Sequence, residues 1–600
     1  MTKKTLPPSI KYTSRDFESI KRDLVDHAKR YYSNTFKDFS DTSFGSLMLD
    51  SVAYVGDVLS FYLDYQANEL FLDTANEYDN IVKIGHQLGY KFNEFPMAHG
   101  LVALYLKIPS NSNGIGPDVT YLPVLKKGTQ FSSAGGGAYV LNEDIDFTSS
   151  DLEVVVAETD STTGVPTYYA VKAYGQVISG ILAQENLIVG DFQKFLKIRL
   201  SSPNISEIVS VFDSEGHEYY EVDNLSQNLI FVSVNNKSSD RNTVPNILKP
   251  MIVARRFTTQ QQFGRTYLQF GYGSDSEVLV ESVSDPSNVV LNVHGKDYIS
   301  DTSFDPSKLI ATDKFGVAPT NTTLTVYYRT NTSDTVNASV GAINSVTQTI
   351  FEFDDATSLN RATQLAVQSS LEVTNEERIT GDSSPPAPRE LKEKIKSFYA
   401  AQKRAVTRED YKALVYSMPS KFGSVKRCTI LQDNDSFKRN LNLYLITEDQ
   451  GALTTTSTTL KENIKTWISS HKMVNDTIDM FDAKIVNVGI NFALKADNNV
   501  NKYDVLRAAI ARLVKRYGSN NIMEIGEAFS ISEVYKILNS TVGVTDTLDV
   551  EMKLKISSSY ADTNYRLEDW ISPDGTVLYV PEDHIFEIKY PNADIKGVVK

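Results

Sequence analysis

The sequence is poor in the residues from which reactive and cross-linked sites are built. Its 600 residues include one cysteine, Cys428, and seven histidines that stand singly. One cysteine excludes an intrachain disulfide and any metal site made of several thiolates. Cys428 lies in a strand-like run, which predicts a small buried side chain. No two histidines lie one helical turn apart around a glutamate, so the sequence predicts no metal and no cofactor.

Enzyme motifs are missing as well. There is no Gly-x-x-x-x-Gly-Lys-Ser/Thr loop to hold phosphates, no Gly-x-Gly-x-x-Gly after a strand and no Gly-x-Ser-x-Gly nucleophile elbow. Glu143–Asp146 and Asp354–Asp355 are the densest acidic clusters, and such clusters are expected on a solvated surface. The alternative is one half of a glycosidase carboxylate pair, whose members can be distant in sequence. The sequence predicts that the chain is not an enzyme.

Charge and hydropathy limit the kinds of partner. The formal net charge of −15 argues against a general nucleic-acid binder, which needs a positive field to displace counterions from phosphates. The first residues lack the apolar stretch of a signal peptide. No window approaches the roughly 18 consecutive apolar residues that a membrane span needs. We therefore expect no nucleic acid, no membrane span and assembly in a reducing cytoplasm.

The period of the apolar residues changes along the chain and predicts a multidomain α+β protein. Three- and four-residue spacing predicts a helical N-terminal region, residues 1–98. Short alternating runs with frequent Gly, Pro and Asp predict a β-rich middle, residues 99–384, of one or two domains. Helical spacing returns in a short segment, residues 385–425. Alternating strands interleaved with helices predict a C-terminal two-layer α+β domain, residues 426–600.

One predicted helix, from Phe44 to Leu72, has little polar face. A helix that is apolar on most sides must be covered on most sides, by its own chain or by another one. Its interface candidates are Leu47, Val52, Val55, Val58, Leu59 and Tyr62. Capping boxes, in which a hydroxyl and a carboxylate three residues apart satisfy the free N–H groups at a helix start, are predicted at Thr13–Asp16, Thr74–Glu77 and Thr407–Asp410.

A basic stretch spans residues 389–408. It has two interpretations that the sequence leaves open: the outer face of an amphipathic helix, or a contact with an acidic surface of a neighbouring subunit. The residues concerned are Arg389, Lys392, Lys394, Lys396, Lys403, Arg404 and Arg408.

Ala387 to Tyr411, which ends in Ala-Gln-Lys-Arg-Ala-Val-Thr-Arg-Glu-Asp-Tyr, resembles the signature of the baseplate J-like family. The family form is close to Ala-Gln-Asn-Arg-Ala-Val-Thr-x-x-Asp-Tyr, so Lys403 replaces the usual Asn. In this segment we expect Thr407 and Asp410 to cap a helix, Tyr411 and Val406 to pack, and Arg404 to hold a carboxylate or a carbonyl. Three further segments are similar to the longer T-even-type members of the family: Tyr12–Phe17, Asp41–Ser46 and Pro581–Pro591. Others are similar to the family in general: Lys127–Phe131 with Glu143 and Asp144, Phe315–Arg329 and Ser540–Asp546.

The resemblance implies a structural subunit of a contractile phage tail, located in the virion at the tail baseplate. Such wedge subunits are expected to dimerise and to bundle their N-terminal helices with another wedge protein. Their C-terminal regions are expected to join neighbouring wedges into a sixfold ring around the hub and to transmit the rearrangement that triggers sheath contraction. The alternative is a receptor-binding tail fibre or adhesin, because the middle region is rich in Ser, Thr and Asn. A tail-borne cell-wall hydrolase is a third alternative.

Overall fold

The structure is a computed structural model, and it separates the chain into two compact units. One contains the described residues up to 90 together with residues 386–396, and the other contains the remainder. Three 3-10 turns, Val119–Tyr121, Ser420–Phe422 and Leu567–Trp570, accompany the helices and strands below. The structure describes residues 15–32, 40, 43–91, 95–111, 113, 115–149, 152–235, 246–262, 264–274, 315–331, 336–381, 384–433, 440–497, 499–518, 523–557, 559–561 and 563–600.

The N-terminal region is helical, as predicted. Its helices are α1 (Phe17–Tyr31), α2 (Phe44–Glu69) and α3 (Tyr78–Gln87). The predicted cap residue Thr13 lies outside the described residues, and Asp16 is the N-cap of α1, accepting from the Ser19 N–H at 3.3 Å. The capping box predicted at Thr74–Glu77 is wrong, because the N-cap Glu77 forms no side-chain capping bond and the Thr74 hydroxyl donates to the Asn68 carbonyl.

The buried carboxylate of Glu69, at the end of α2, takes the place of that capping box. It accepts the N–H of Asn76 at 2.7 Å and the N–H of Glu77 at 3.2 Å, and the Asn80 amide donates to it at 3.0 Å. These hydrogen bonds, that of Asn80 above all, lower the pKa of Glu69. The ionised carboxylate therefore fixes the turn from α2 into α3.

The β-rich middle contains a first sheet of seven strands whose residues come from two separate stretches of sequence. All its pairings are antiparallel. Its core includes Leu104, Phe131, Tyr139, Val177 and Ile343. Across the sheet the strands run Ile343–Gln348, Gln130–Ser133, Ala138–Leu141, Pro166–Ser179, His99–Pro109 and Glu372–Thr374, with Glu153–Thr159 beside Pro166–Ser179.

A second seven-stranded sheet is inserted between those two stretches and has its own core, which includes Val211, Phe257, Phe270 and Leu324. The middle region therefore contains two large sheets with separate cores, and its division into one or two domains stays a prediction. The region also contains two small elements and the helix Arg361–Ser369. The small elements are a hairpin, Leu229–Asn235 with Asn246–Ile252, and a three-stranded sheet, Phe351–Glu352, Val124–Leu125 and Ile145–Asp146. The inserted sheet runs Ile181–Val189, Thr322–Thr330, Ile205–Phe212, Glu218–Glu221, Arg256–Gln262, Arg265–Phe270 and Lys197–Arg199.

The C-terminal part combines two four-stranded sheets with helices. One sheet contains Arg427–Gln432, Asn440–Asp449, Ala452–Thr454 and Thr477–Asp482, and the other contains Val544–Leu554, Lys484–Ala496, His584–Glu587 and Ile595–Val599. Phe529–Ser530 pairs with Val577–Leu578. The helices of this part are Pro388–Ala401, Arg408–Tyr416, Thr458–Ser469, Lys502–Tyr517, Ile531–Asn539 and Pro591–Asp594.

The multidomain α+β fold class is confirmed. The predicted domain boundaries at residues 98, 384 and 425 stay predictions. Within the predicted helical segment 385–425, the compact units separate residues 386–396 from residues 397–425. The reason for the grouping of 386–396 is local, because Ile395 packs at Gly85 of α3, where an added Cβ would lie 2.8 Å from its Cδ1 atom.

Candidate interface site

The described residues offer no cluster of polar ligands. No group of three or more His, Cys, Asp or Glu side chains among them is arranged to hold a metal ion. Cys428 is buried in the C-terminal core, as predicted. The residues singled out from the sequence lie instead on two exposed surfaces.

The first surface is built on α2, one side of which packs against α1. The two helices run antiparallel, since Lys21 pairs with Asp50 at 2.9 Å and Arg15 pairs with Asp64 at 2.8 Å. Gly56 allows a close approach, because a Cβ there would lie 3.3 Å from the Ile20 Cδ1 atom. The N-cap Ser43 starts α2 by accepting the Ser46 N–H at 3.1 Å. Asp50 and Asp64 thus lie on the α1 side of α2.

The opposite side of α2 is apolar and is not covered by the described residues. Ala53, on the α1 side, is fully buried, whereas Leu59 is 57% exposed. Five of the six interface candidates are exposed and Val58 is half-buried. At 100° per residue, the stripe from Phe61 to Val52 is about 180° wide. The exposed members of the stripe are Phe44, Leu47, Met48, Val52, Tyr54, Val55, Leu59, Phe61, Tyr62 and Tyr65.

The same helix corrects the expectation that no segment resembles a membrane span. α2 has 26 residues, and an 18-residue window in it reaches a mean hydropathy of 1.2 with only 11% of the window buried. By length and composition it is the one helix of the described chain that is apolar enough to cross a membrane. The expectation counted consecutive apolar residues and so overlooked a helix whose Ser, Gly and Ala residues add little polarity.

The second surface lies at the signature segment, where the predicted capping box is confirmed. Thr407 is the N-cap of the helix Arg408–Tyr416 and its hydroxyl accepts the Asp410 N–H at 3.2 Å. The Asp410 carboxylate in turn accepts the Thr407 N–H at 2.8 Å. Tyr411 is buried, as predicted, and donates to Asp476 at 2.7 Å. Burial, aided by that hydrogen bond, raises the pKa of Tyr411, so its phenol remains a donor.

Two roles predicted in this segment are wrong within the chain. Val406 is 57% exposed and so does not pack into the core. The Arg404 side chain is exposed and forms no ion pair or hydrogen bond with any residue that the structure describes. Both residues belong to a turn that projects from the helix start, which sequence spacing does not reveal.

Comparison with known proteins supports a baseplate role. Residues 16–87 match the family model described as the N-terminal domain of a bacteriophage baseplate protein. This match supports a structural role in a phage baseplate and a location in the virion, at the tail baseplate. No curated protein matches the chain.

One comparison with a solved structure spans nearly the whole chain. The match is to the 6-fold symmetrised cryo-EM structure of the anti-feeding prophage baseplate, covering 94% of this chain and 90% of that one. The identity is 10% and the TM-score is 0.24, so the alignment carries no argument about this chain.

Proposed function

We propose that the chain is a structural subunit of the wedge of a contractile-tail baseplate. It dimerises, assembles with other wedge proteins in a sixfold ring around the hub, and transmits the rearrangement that triggers sheath contraction. The observation that carries the proposal is the apolar stripe of α2, which lies inside the segment similar to baseplate N-terminal domains. In this proposal the chain makes scaffold contacts with other subunits and uses no catalytic group.

The stripe supports a permanent partner on energetic grounds. Full burial of one large apolar side chain stabilises by roughly 1.5–3 kcal/mol. A partner that covers ten half-exposed side chains therefore contributes on the order of 10 kcal/mol before the cost of association. Uncovered patches of this size mark interaction surfaces on soluble proteins.

The width of the stripe indicates more than one partner helix. A two-stranded coiled coil buries a narrow seam of two positions per heptad. The stripe of α2 is about 180° wide, and such a face is covered only when a second helix packs beside the first. The α1–α2 hairpin of a second copy together with a helix of another wedge protein provides the covering that we propose.

The test has two steps. Purified tails are labelled with an antibody to this chain and imaged in negative stain, and label at the baseplate is the expected result. The isolated chain is then examined by sedimentation velocity at micromolar concentration, where we expect a dimer. Label elsewhere on the particle would contradict the baseplate role, and a monomer that stays monomeric with co-expressed wedge proteins would contradict the dimer.

A further inference from the structure

The cations of the basic stretch 389–408 differ in their contacts. Lys394 pairs with Glu390 at 2.9 Å, and Lys396 pairs with Asp73 at 2.5 Å. Lys392 donates to the Asp73 carbonyl at 3.0 Å. These three lysines therefore bind groups of their own chain.

Lys403, Arg404 and Arg408 are different, because all three are exposed and none pairs with an acid in the described part of the chain. The two acids that follow Arg408 in sequence are occupied, since Asp410 caps the helix and Glu409 pairs with Lys412 at 3.2 Å. A helix N-terminus also carries a positive partial charge, so the cation of Arg408 opposes the dipole of its own helix. Arg404 and Arg408 thus form no ion pair within the described part of the chain, whereas Lys91 and, more weakly, Lys403 lower the pKa of Asp223.

The backbone of the same turn is strained. Gln402 and Lys403 have φ values of 50° and 57°, the left-handed region that residues with a Cβ avoid. Two such residues in succession persist only where the surroundings hold them, and they are typical of functional sites.

Apolar side chains are exposed next to these cations. Ala405 forms a parallel bridge with Lys472, and the Ala405 N–H donates to the His471 carbonyl at 3.0 Å. This bridge brings Val406 beside the loop that contains Met473 and Val474, and Val474 is 98% exposed.

Hydrogen bonds within the chain hold the turn and the loop in place. Lys472 donates to the Asp476 carbonyl at 2.6 Å, and the Asp476 carboxylate accepts from the buried Tyr411. The capping box at Thr407 fixes the other end of the turn. Surfaces held this way bind with little loss of conformational entropy.

From these observations we propose that residues 402–408 and 472–474 form a docking surface for an acidic, apolar segment of another baseplate chain. Charge complementarity selects this occupant: guanidinium groups bind carboxylates in pairs of hydrogen bonds, and the exposed valines and methionine accept apolar side chains. Nucleic acid is disfavoured by the net charge of −15. The inference rests on the proposed baseplate function and adds a second surface, distinct from α2.

The first experiment measures assembly. A phage that lacks the chain is complemented with the full-length wild type, with the double variant Arg404→Glu/Arg408→Glu, or with Lys465→Glu, an exposed lysine on the helix Thr458–Ser469. We expect the double variant to enter purified tails about tenfold less than the wild type, because like charges at an interface repel the partner. Lys465→Glu should enter normally. The melting temperatures of all three isolated proteins should agree, since neither arginine supports the fold.

The second experiment identifies the occupant. The photo-cross-linking amino acid p-benzoylphenylalanine replaces Val406 in assembled particles, and mass spectrometry locates the product. A cross-link to an Asp- or Glu-rich peptide of another baseplate chain supports the inference. A cross-link to nucleic acid or to this chain itself, or none at all, overturns it.

The outcomes also separate the two proposals. If the wild-type chain is absent from tails, the proposed function is wrong. If the wild type and the double variant enter tails equally, or if the double variant melts well below the wild type, the docking surface alone is wrong.

Discussion

Leu59→Asp tests the α2 stripe most directly, because it puts a carboxylate in the middle of the exposed face. In the isolated chain Leu59 is 57% exposed, and surface substitutions of this kind change stability by only about 0.5 kcal/mol. In the assembled state the change loses roughly 1–2 kcal/mol of apolar burial. It also buries a carboxylate without a partner, which costs roughly 2 kcal/mol or more. Association should weaken by about 3 kcal/mol, or roughly 100-fold.

The assay compares three purified proteins by sedimentation velocity and by thermal melting monitored with circular dichroism. The matched control is Leu365→Asp, the same substitution on the helix Arg361–Ser369 at a leucine that is also about half exposed. We expect Leu365→Asp to associate like the wild type and Leu59→Asp to remain dissociated at concentrations where the wild type is dimeric. All three should melt at similar temperatures.

A positive control for unfolding is Ala53→Asp, because Ala53 is fully buried against α1. If Leu59→Asp unfolds the N-terminal helices as Ala53→Asp does, the stripe faces the interior of its own chain and the reasoning is refuted. Unchanged association of Leu59→Asp refutes it as well.

Three further predictions concern the stability of the isolated chain. Burial lowers the pKa of His99 to about 4, so between about pH 6.5 and pH 4 the unfolded chain binds a proton at His99 that the folded chain does not. The contribution of His99 to stability should fall by about 3 kcal/mol from pH 7 to 4, and His99→Gln should lose less stability than the wild type in urea titrations at both pH values. Glu448→Gln removes the carboxylate 2.8 Å from the buried Lys426 ammonium and should cost about 3–5 kcal/mol by denaturant titration. Thr407→Ala should cost about 1 kcal/mol in the same measurement, whereas Thr407→Ser should retain the cap.

Local features of the sequence predicted the structure well wherever their causes lie within a few residues. The Thr407–Asp410 box formed because both partners lie on one helical turn. The cap of α3 was not predictable in this way, since Glu69 reaches its N–H partners seven and eight residues away. Likewise, alternation predicted strands in the middle region, but no local pattern tells that His99–Pro109 and Ile343–Gln348 share one sheet across an insertion.

The covered side of α2 could have been found from the sequence. Asp50, Asp57 and Asp64 follow each other at seven-residue steps and therefore lie along one side of the helix. Two of them pair with Lys21 and Arg15 in the structure. The acidic line thus indicates where α1 packs, and the charge-free side opposite it indicates the surface left for a partner. The apolar residues alone could not make this distinction, because they occupy most of the circumference.

The signature segment separates into residues that build the turn and residues that the turn exposes. Thr407, Asp410 and Tyr411 form the cap and the buried hydrogen bond, and their roles followed from the spacing. Arg404 and Val406 have no internal role in the described chain, so the same motif contains more than folding requires. The left-handed turn at Lys403 agrees with this division, because a stable fold alone would favour Gly or Asn there. The strained turn therefore exposes an unpaired arginine and a valine to contact with another chain.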